Sequence, residues 1–149
     1  MKNILVLTSI YPGEGVPNTF TPVVHYFVKE WVKLGYNVIV IHSCNYFPSI
    51  YYKCPQWIRK IIISKIGIAL PEKKLNKPIH YFLDNVSVYR LPLFKWIPSS
   101  NYPQKILNNQ VNNIHKILEN NSFIPDIIIS HWINPQIYLS EKLKKNIQR

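Results

Sequence analysis

Apolar residues follow two patterns along the chain: short uninterrupted runs, and longer stretches in which they recur with helical spacing. Uninterrupted runs at residues 3–9, 36–42 and 125–131 are typical of parallel strands that are covered on both faces. Helical spacing characterises most of the sequence between these runs. The alternation predicts an α/β domain in which helices pack on a mostly parallel sheet.

The first unit combines the strand at 3–9, expected inside the sheet and not on its edge, with a helix at 22–34. Thr21 is expected as the N-cap, Pro22 as the first helical residue and Gly35 as the C-terminal stop. We expect one apolar face of this helix to pack on the sheet. The face consists of Val23, Val24, Phe27, Val28, Trp31 and Leu34.

The later pattern extends the same sheet. The strand at 36–42 follows the first helix after one short turn, as a right-handed β-α-β crossover requires. Residues 79–83 and 86–91 are predicted to form a hairpin through Asp84 and Asn85, with the second strand joining the main sheet. Further helices are predicted at 55–69, at about 100–120, and from Pro135 onward with Asn134 as its cap. The residues expected on or near the packed side of the last helix are Ile137, Tyr138, Leu139 and Leu143.

The net charge of +11, from 18 basic and 7 acidic side chains, favours an anionic partner. Nucleic acid, an acidic membrane surface and a phosphorylated ligand all fit that charge, as does a surface that is merely basic. Aromatic and basic residues alternate in residues 45–75, but no nucleic-acid-binding motif accompanies them. We therefore expect no nucleic-acid partner.

The two cysteines, Cys44 and Cys54, have the spacing of neither a zinc site nor a redox motif, and two cysteines do not make a disulfide framework. We expect free thiols in a reducing compartment. The amino terminus lacks a small-residue cleavage site, and no apolar run approaches the length of a transmembrane helix. These features predict a cytoplasmic protein that is peripheral, at most, at the inner face of the membrane.

Trp57, Arg59, Lys60 and Lys65 mark the predicted helix at 55–69 as both basic and apolar. Such a helix is a candidate for resting on an acidic lipid surface. The alternative is a helix that is buried against its own domain and keeps its lysines in solvent.

The loop between the first strand and helix contains Gly13 and Gly15, whose backbone could approach an anion at the helix N-terminus. An irregular, solvated loop is the alternative. A third glycine of the dinucleotide-binding fingerprint is missing. The second strand also ends in Ile41, His42 and Ser43, without the acidic residue that holds a ribose, which counts against NAD.

His131 follows the apolar residues of the predicted strand at 125–131 and precedes a helix. In open α/β sheets, ligands bind at the carboxyl ends of the strands. His131 is thus a candidate site residue, and a purely structural histidine is the alternative.

Four segments, taken in order, resemble the N-terminal domain of a family 4 glycosyltransferase with the GT-B fold. They are the strand leading into Tyr11-Pro12 and a loop with Gly13, Gly15 and Pro17, the helix and strand FVKEWVKLGYNVIVI, the segment VSVYRLPL, and PDIIISHW followed by a helix. The resemblance covers essentially the whole chain. It implies a Rossmann-like three-layer sandwich with a mostly parallel central sheet, forming the N-terminal half of a GT-B fold.

The resemblance also implies retaining transfer of a sugar from a nucleotide-sugar donor to a glycan or lipid-linked acceptor, without a cofactor or metal. His131 would lie near the transferred sugar, and the loop of Gly13, Glu14 and Gly15 near the donor phosphates. The acceptor would be held mostly by this domain, and the nucleotide by a C-terminal domain that is absent from these 149 residues and without which we expect no activity. Candidate acceptor-side residues are Asn18, Thr19, His25, Trp132 and Asn134.

Two other function classes remain open from the sequence. One is a non-catalytic module that binds an acidic glycan or an anionic lipid surface through its basic aromatic region. The other is a nucleotide-binding enzyme of another class, for which tight nucleotide binding by this domain alone would be expected.

Overall fold

A computed structural model describes residues 2–13, 22–66, 74–97, 100–132 and 134–147. Within these ranges, five strands form one sheet with the order β3-β4-β2-β1-β5. All neighbouring pairs are parallel except β3 with β4. The strands are β1 (Asn3–Thr8), β2 (Asn37–Tyr46), β3 (Ile79–Leu83), β4 (Val86–Phe94) and β5 (Ile127–His131).

The strand order places the chain reversal at β1. From β1 the chain moves outward through β2 to β4, and it then returns to add β5 on the other side of β1. The carboxyl ends of β1 and β5 therefore flank a topological switch point, where open α/β sheets bind ligands. The predictions of an interior first strand and of a hairpin strand that joins the main sheet are confirmed.

Helices cover both faces of the sheet. Those that pack on it are α1 (Val23–Lys33), α4 (Gln104–Asn120) and α5 (Gln136–Ile147), and α2 (Ser49–Lys53) and α3 (Gln56–Ile66) follow β2. Val28 of α1 belongs to the core on one face, with Val6 and Val40. On the other face, Ile114 of α4 and Leu139 of α5 pack with Leu5, Leu7 and Ile41. This α/β arrangement is consistent with a Rossmann-like sandwich.

The hairpin turn has the geometry expected from its sequence. Asp84 and Asn85 have φ values of 48° and 65°, both in the left-handed region that a two-residue type I′ turn requires. Asp and Asn tolerate this region better than most residues. β3 and β4 pair from Leu83 and Val86 outward, so the predicted hairpin is confirmed.

The buried face of α1 differs from the prediction. Phe27, which was expected to pack on the sheet, is 58% exposed, and Val23 and Leu34 are also exposed. Val28, which was predicted, is buried, and the predicted Val24 and Trp31 pack partly buried against the core. The other buried residue of the helix is His25, which was not predicted. The predicted stripe is wrong in part because His25 is held in the interior by hydrogen bonds to distant residues, which apolar periodicity does not report. In α5 the prediction is confirmed for Leu139 and Leu143, which are buried, and for Tyr138, which packs on the core, whereas Ile137 is exposed.

The ends of α1 confirm one prediction and leave another outside the described residues. Gly35 follows the helix with a φ of 85°, as expected for a glycine that ends a helix. The helix begins at Val23, with Pro22 immediately before it, so Pro22 is not its first residue. Thr21, the predicted N-cap, lies outside the described ranges.

The segment after β2 contains the short helix α2, which the sequence pattern did not predict, followed by α3 within the predicted 55–69 stretch. In α3, Trp57 and Ile61 are exposed among the side chains that the structure describes. Both predictions for this helix, a lipid-facing surface and a helix buried against its own domain, therefore remain predictions. None of the helices in the described ranges has the length and apolar character that crossing a bilayer requires.

Candidate functional site

A cleft of about 180 Å³ lies at the switch point, between the ends of β1 and β5 and the beginning of α1. The segment after β1 contributes Ile10 and Pro12, and β5 and the residue after it contribute His131 and Trp132. The start of α1 closes the third side with Pro22, Val23, Val24 and His25. Mostly apolar walls with a few polar groups are typical of small-molecule sites.

His131 is the polar group that β5 brings to this cleft. Its Nδ1 atom lies 3.1 Å from the hydroxyl oxygen of Thr8, its register partner on β1. Partial burial lowers the pKa of His131 below its ordinary value, because burial disfavours the charged imidazolium. The ring is therefore neutral at pH 7 and can accept a hydrogen bond through one nitrogen.

Trp132 extends the cleft with an exposed aromatic surface. Its side chain is 58% exposed, and its ring contacts that of His131 edge-to-face at 5.5 Å between centroids. Its φ of 74° lies in the left-handed region, which is a genuine outlier for a bulky residue. Such strain is often found at functional sites. An exposed indole beside a hydrogen-bond acceptor offers an apolar platform and a polar contact to one ligand.

His25 lines the cleft, but both of its ring nitrogens are already engaged. Its Nε2 atom donates to the carboxylate of Asp84 at 3.2 Å, so its Nδ1 atom accepts from the hydroxyl of Tyr11 at 2.8 Å. Burial raises the pKa of Tyr11, which keeps that hydroxyl protonated. His25 thus presents its ring surface to the cleft and uses its nitrogens for internal contacts.

Gly13 is the part of the predicted phosphate loop that the structure describes. A Cβ atom at Gly13 would lie 2.4 Å from Nη2 of Arg90 and 2.5 Å from the hydroxyl oxygen of Tyr81. The Tyr81 hydroxyl donates to the carbonyl oxygen of Pro12 at 2.7 Å. Glycine is thus required here by the close approach of two side chains. Glu14 and Gly15 lie outside the described residues, as do the acceptor-side candidates Asn18 and Thr19.

The beginning of α1 is compatible with an anion. The first turn has no acidic residue, and no side chain in the described ranges caps it. The first N–H groups of a helix lack partners within the helix, and the helix dipole favours negative charge there. Binding of an anionic group at the start of α1 remains a prediction.

Asn134, Trp57 and Lys60 are not among the described residues that line the cleft. Asn134 is exposed in the turn before α5. Trp57 is 64% exposed and Lys60 is exposed on α3. Arg59 and Lys65 also belong to this helix, but their side chains are not among those described.

The sequence reasoning missed a buried polar cluster on the α1 face of the sheet. His42 lies next to Arg90 in the β2–β4 register, and its Nε2 atom donates to the carbonyl oxygen of Ser9 at 3.2 Å. Burial, followed by the nearby Arg90 charge, lowers the pKa of His42 to about 3, and burial raises the pKa of Cys44 to about 12. The Cys44 thiol, 3.3 Å from His42, is therefore protonated and not an activated nucleophile.

The prediction of free thiols is confirmed, since neither Cys44 nor Cys54 is in a disulfide. In the parts of the chain described, no three His, Cys, Asp or Glu side chains are grouped so that they could share a metal ion. The sequence signal that could have found His42 is its position, because it directly follows the apolar strand residues 38–41. Thr8 carries the same signal at the end of β1.

Comparison with known proteins gives no match to this chain, whether with protein-family models, with curated proteins or with solved structures.

Proposed function

We propose that this chain is the acceptor-side domain of a retaining glycosyltransferase of family 4, the N-terminal half of a GT-B fold. The reaction is transfer of a sugar from a nucleotide-sugar donor to a glycan or lipid-linked acceptor, with the nucleotide held mostly by a second domain. The observation that carries the proposal is the position of His131 at the switch-point cleft, facing the start of α1. The resemblance of the sequence segments gives the proposal its reaction class.

His131, Trp132 and the start of α1 could each assist a sugar transfer. A neutral imidazole can accept a hydrogen bond from a sugar hydroxyl, and the indole of Trp132 can cover an apolar sugar face. The start of α1, which no side chain in the described ranges caps, can stabilise negative charge on a departing diphosphate. None of these roles requires His131 to be charged.

The test is a transfer assay on the complete product of the gene, after the coding sequence has been read beyond the codon for Arg149. We expect a second α/β domain with a Glu-x7-Glu pattern and transfer from a nucleotide sugar. His131→Ala should lower kcat/KM about 10- to 100-fold, the value of a hydrogen bond worth about 1.5–3 kcal/mol. His80→Ala, which changes an exposed histidine on β3, is the matched control.

Two results would contradict this proposal. One is the absence of transfer and of donor hydrolysis with every nucleotide sugar and acceptor tried. The other is unchanged turnover in His131→Ala, which would remove that residue from the site. Tight binding of a nucleotide by the 149-residue chain alone would instead favour a nucleotide-binding enzyme of another class.

A second candidate function is a non-catalytic module that binds an anionic lipid surface. It is favoured by the exposure of Trp57 and Ile61 beside Lys60 on α3, in a chain of net charge +11. Apolar side chains next to lysines suit the boundary between lipid headgroups and acyl chains. The same surface would bring a transferase to a lipid-linked acceptor, so the two functions are compatible.

Vesicle flotation tests this surface. We expect binding to vesicles that contain phosphatidylglycerol, no binding to pure phosphatidylcholine, and weaker binding as salt screens the attraction. Lys60→Glu should weaken binding more than Lys144→Glu, which makes the same charge change at an exposed position on α5. Equal effects of the two variants would assign the binding to net charge alone and contradict a role for α3.

A further inference from the structure

Thr8 lies at the end of β1, directly opposite His131 in the β1–β5 register. Its side chain is fully buried, so it cannot be a major ligand contact itself. Its hydroxyl nevertheless contacts His131, which is the polar side chain of β5 that lines the cleft among the described residues. A role for Thr8 must therefore act through His131.

The hydrogen bonds of Thr8 determine which atom donates. Its hydroxyl donates to the carbonyl oxygen of Ile10 at 2.9 Å and accepts from the Ile10 N–H at 3.1 Å. A hydroxyl has one proton, so all three contacts are hydrogen bonds at the same time only when the oxygen accepts from Nδ1 of His131, 3.1 Å away. That arrangement places the proton of the neutral imidazole on Nδ1.

The consequence falls on the other ring nitrogen. With the proton on Nδ1, Nε2 carries a lone pair, and no side chain or backbone group in the described ranges is hydrogen-bonded to it. An unrestrained histidine side chain in water prefers the opposite form, with its proton on Nε2. The Thr8 hydroxyl beside Nδ1 thus reverses the usual preference for the Nε2–H tautomer. Hydrogen-bond partners set the tautomer of metal-binding and catalytic histidines in the same way.

We propose that Thr8 is a positioning residue that holds His131 as the Nδ1–H tautomer, so that Nε2 accepts a hydrogen bond from a ligand hydroxyl. The ligand part of this inference rests on the proposed function, whereas the tautomer does not. The Nδ1–H tautomer also limits the class of ligand that His131 can bind. A neutral acceptor nitrogen suits the hydroxyl of a sugar and has no attraction for a phosphate oxygen, which is itself an acceptor.

The tautomer is measured by ¹⁵N NMR of the histidine rings in this chain, because protonated and unprotonated ring nitrogens resonate at well-separated frequencies. We expect His131 as the Nδ1–H form in the unaltered protein and in Thr8→Ser, which keeps the hydroxyl. Thr8→Val preserves shape and removes the hydroxyl, and it should convert His131 mainly to the Nε2–H form. Ser130→Ala, which removes a neighbouring hydroxyl bonded instead to the Gln136 carbonyl, should leave it unchanged.

The same spectra test the ligand. Methyl α-glucoside at high concentration should shift the Nε2 resonance in the unaltered protein and in Thr8→Ser, and shift it less in Thr8→Val. Sulfate, which carries no proton at pH 7 and can only accept hydrogen bonds, should leave that resonance unmoved.

An Nε2–H form in the unaltered protein, or an Nδ1–H form that survives in Thr8→Val, would overturn the role of Thr8. If Thr8→Val fails to fold, the unaltered protein and Thr8→Ser still decide the tautomer. An Nδ1–H ring that ignores the glucoside would keep that role and contradict the sugar ligand, so the two failures can be told apart.

Discussion

At Gly13, the chain after β1 passes so close to two side chains that any added Cβ atom would force them to shift. The space for a Cβ atom is taken by the guanidinium of Arg90 and the hydroxyl of Tyr81. The φ of 154° adds a conformation that side-chain-bearing residues rarely adopt. Gly13 therefore constrains the backbone of the segment with Ile10 and Pro12, which lines the cleft.

We predict that Gly13→Ala lowers the free energy of unfolding by roughly 1–3 kcal/mol, because strain and a steric clash combine. Gly35→Ala is the matched control: its φ of 85° is also strained, but nothing lies within 4 Å of an added Cβ. It should cost about 1 kcal/mol. Urea denaturation of both variants measures the difference, and equal losses would mean that Arg90 and Tyr81 move aside at no cost.

Between elements, the turn of the β3–β4 hairpin is joined to α1. The carboxylate of Asp84 accepts from Lys29 at 2.7 Å and from His25 at 3.2 Å. Lys29, followed by His25, holds the pKa of Asp84 below its ordinary value. These contacts connect the helix that begins at the cleft to the strand pair that carries Tyr81 and Arg90.

We predict that Asp84→Asn destabilises the protein at neutral pH and that this loss shrinks in acid. Because the folded-state pKa of Asp84 is lowered, its contribution is complete above the unfolded pKa of about 3.9 and disappears as pH falls through the folded value. Thermal unfolding from about pH 7 to about pH 2 measures this, with Glu119→Gln as an exposed-acid control. A loss that does not depend on pH would assign the effect to turn geometry.

For the whole molecule, the carboxyl edge of the sheet combines an open cleft with a buried polar cluster. The cluster of His42, Cys44 and Arg90 lies on the α1 face, where strand alternation alone would place apolar residues. Burial keeps His42 neutral, so protonation of this histidine opposes folding. Acid sensitivity is therefore expected from the core itself as well as from surface ion pairs.

We predict that stability falls as pH decreases from about 6.5 towards about 3, the unfolded and folded pKa values of His42. In that window the unfolded state binds one more proton, which gives a slope of about 1.4 kcal/mol per pH unit. His42→Gln should flatten the slope even though it lowers stability overall, whereas His80→Gln should not. The same slope in both variants would show that other groups control the acid response.

At the cleft, the sequence made His131 a candidate because it lies at the end of an apolar strand, and the family resemblance added Trp132; both line the cleft. The sequence did not identify Thr8, which is 123 residues from His131 and meets it only through the β1–β5 register. Nor did it predict that Gly13 would be required by Arg90, or that His25 would be buried between Tyr11 and Asp84. Each of these contacts joins parts of the chain that sequence spacing does not relate.

The sequence by itself determined most of the elements: five strands, the long helices and the hairpin turn, all within the described residues. Apolar periodicity, helix-ending glycine and turn residues act over a few positions, so they can be recognised locally. Only the tertiary structure decided which face of α1 is buried, with Phe27 outside and His25 inside. Burial of a polar ring depends on hydrogen-bond partners that the fold supplies from elsewhere, and those partners exist only once the sheet has brought them together.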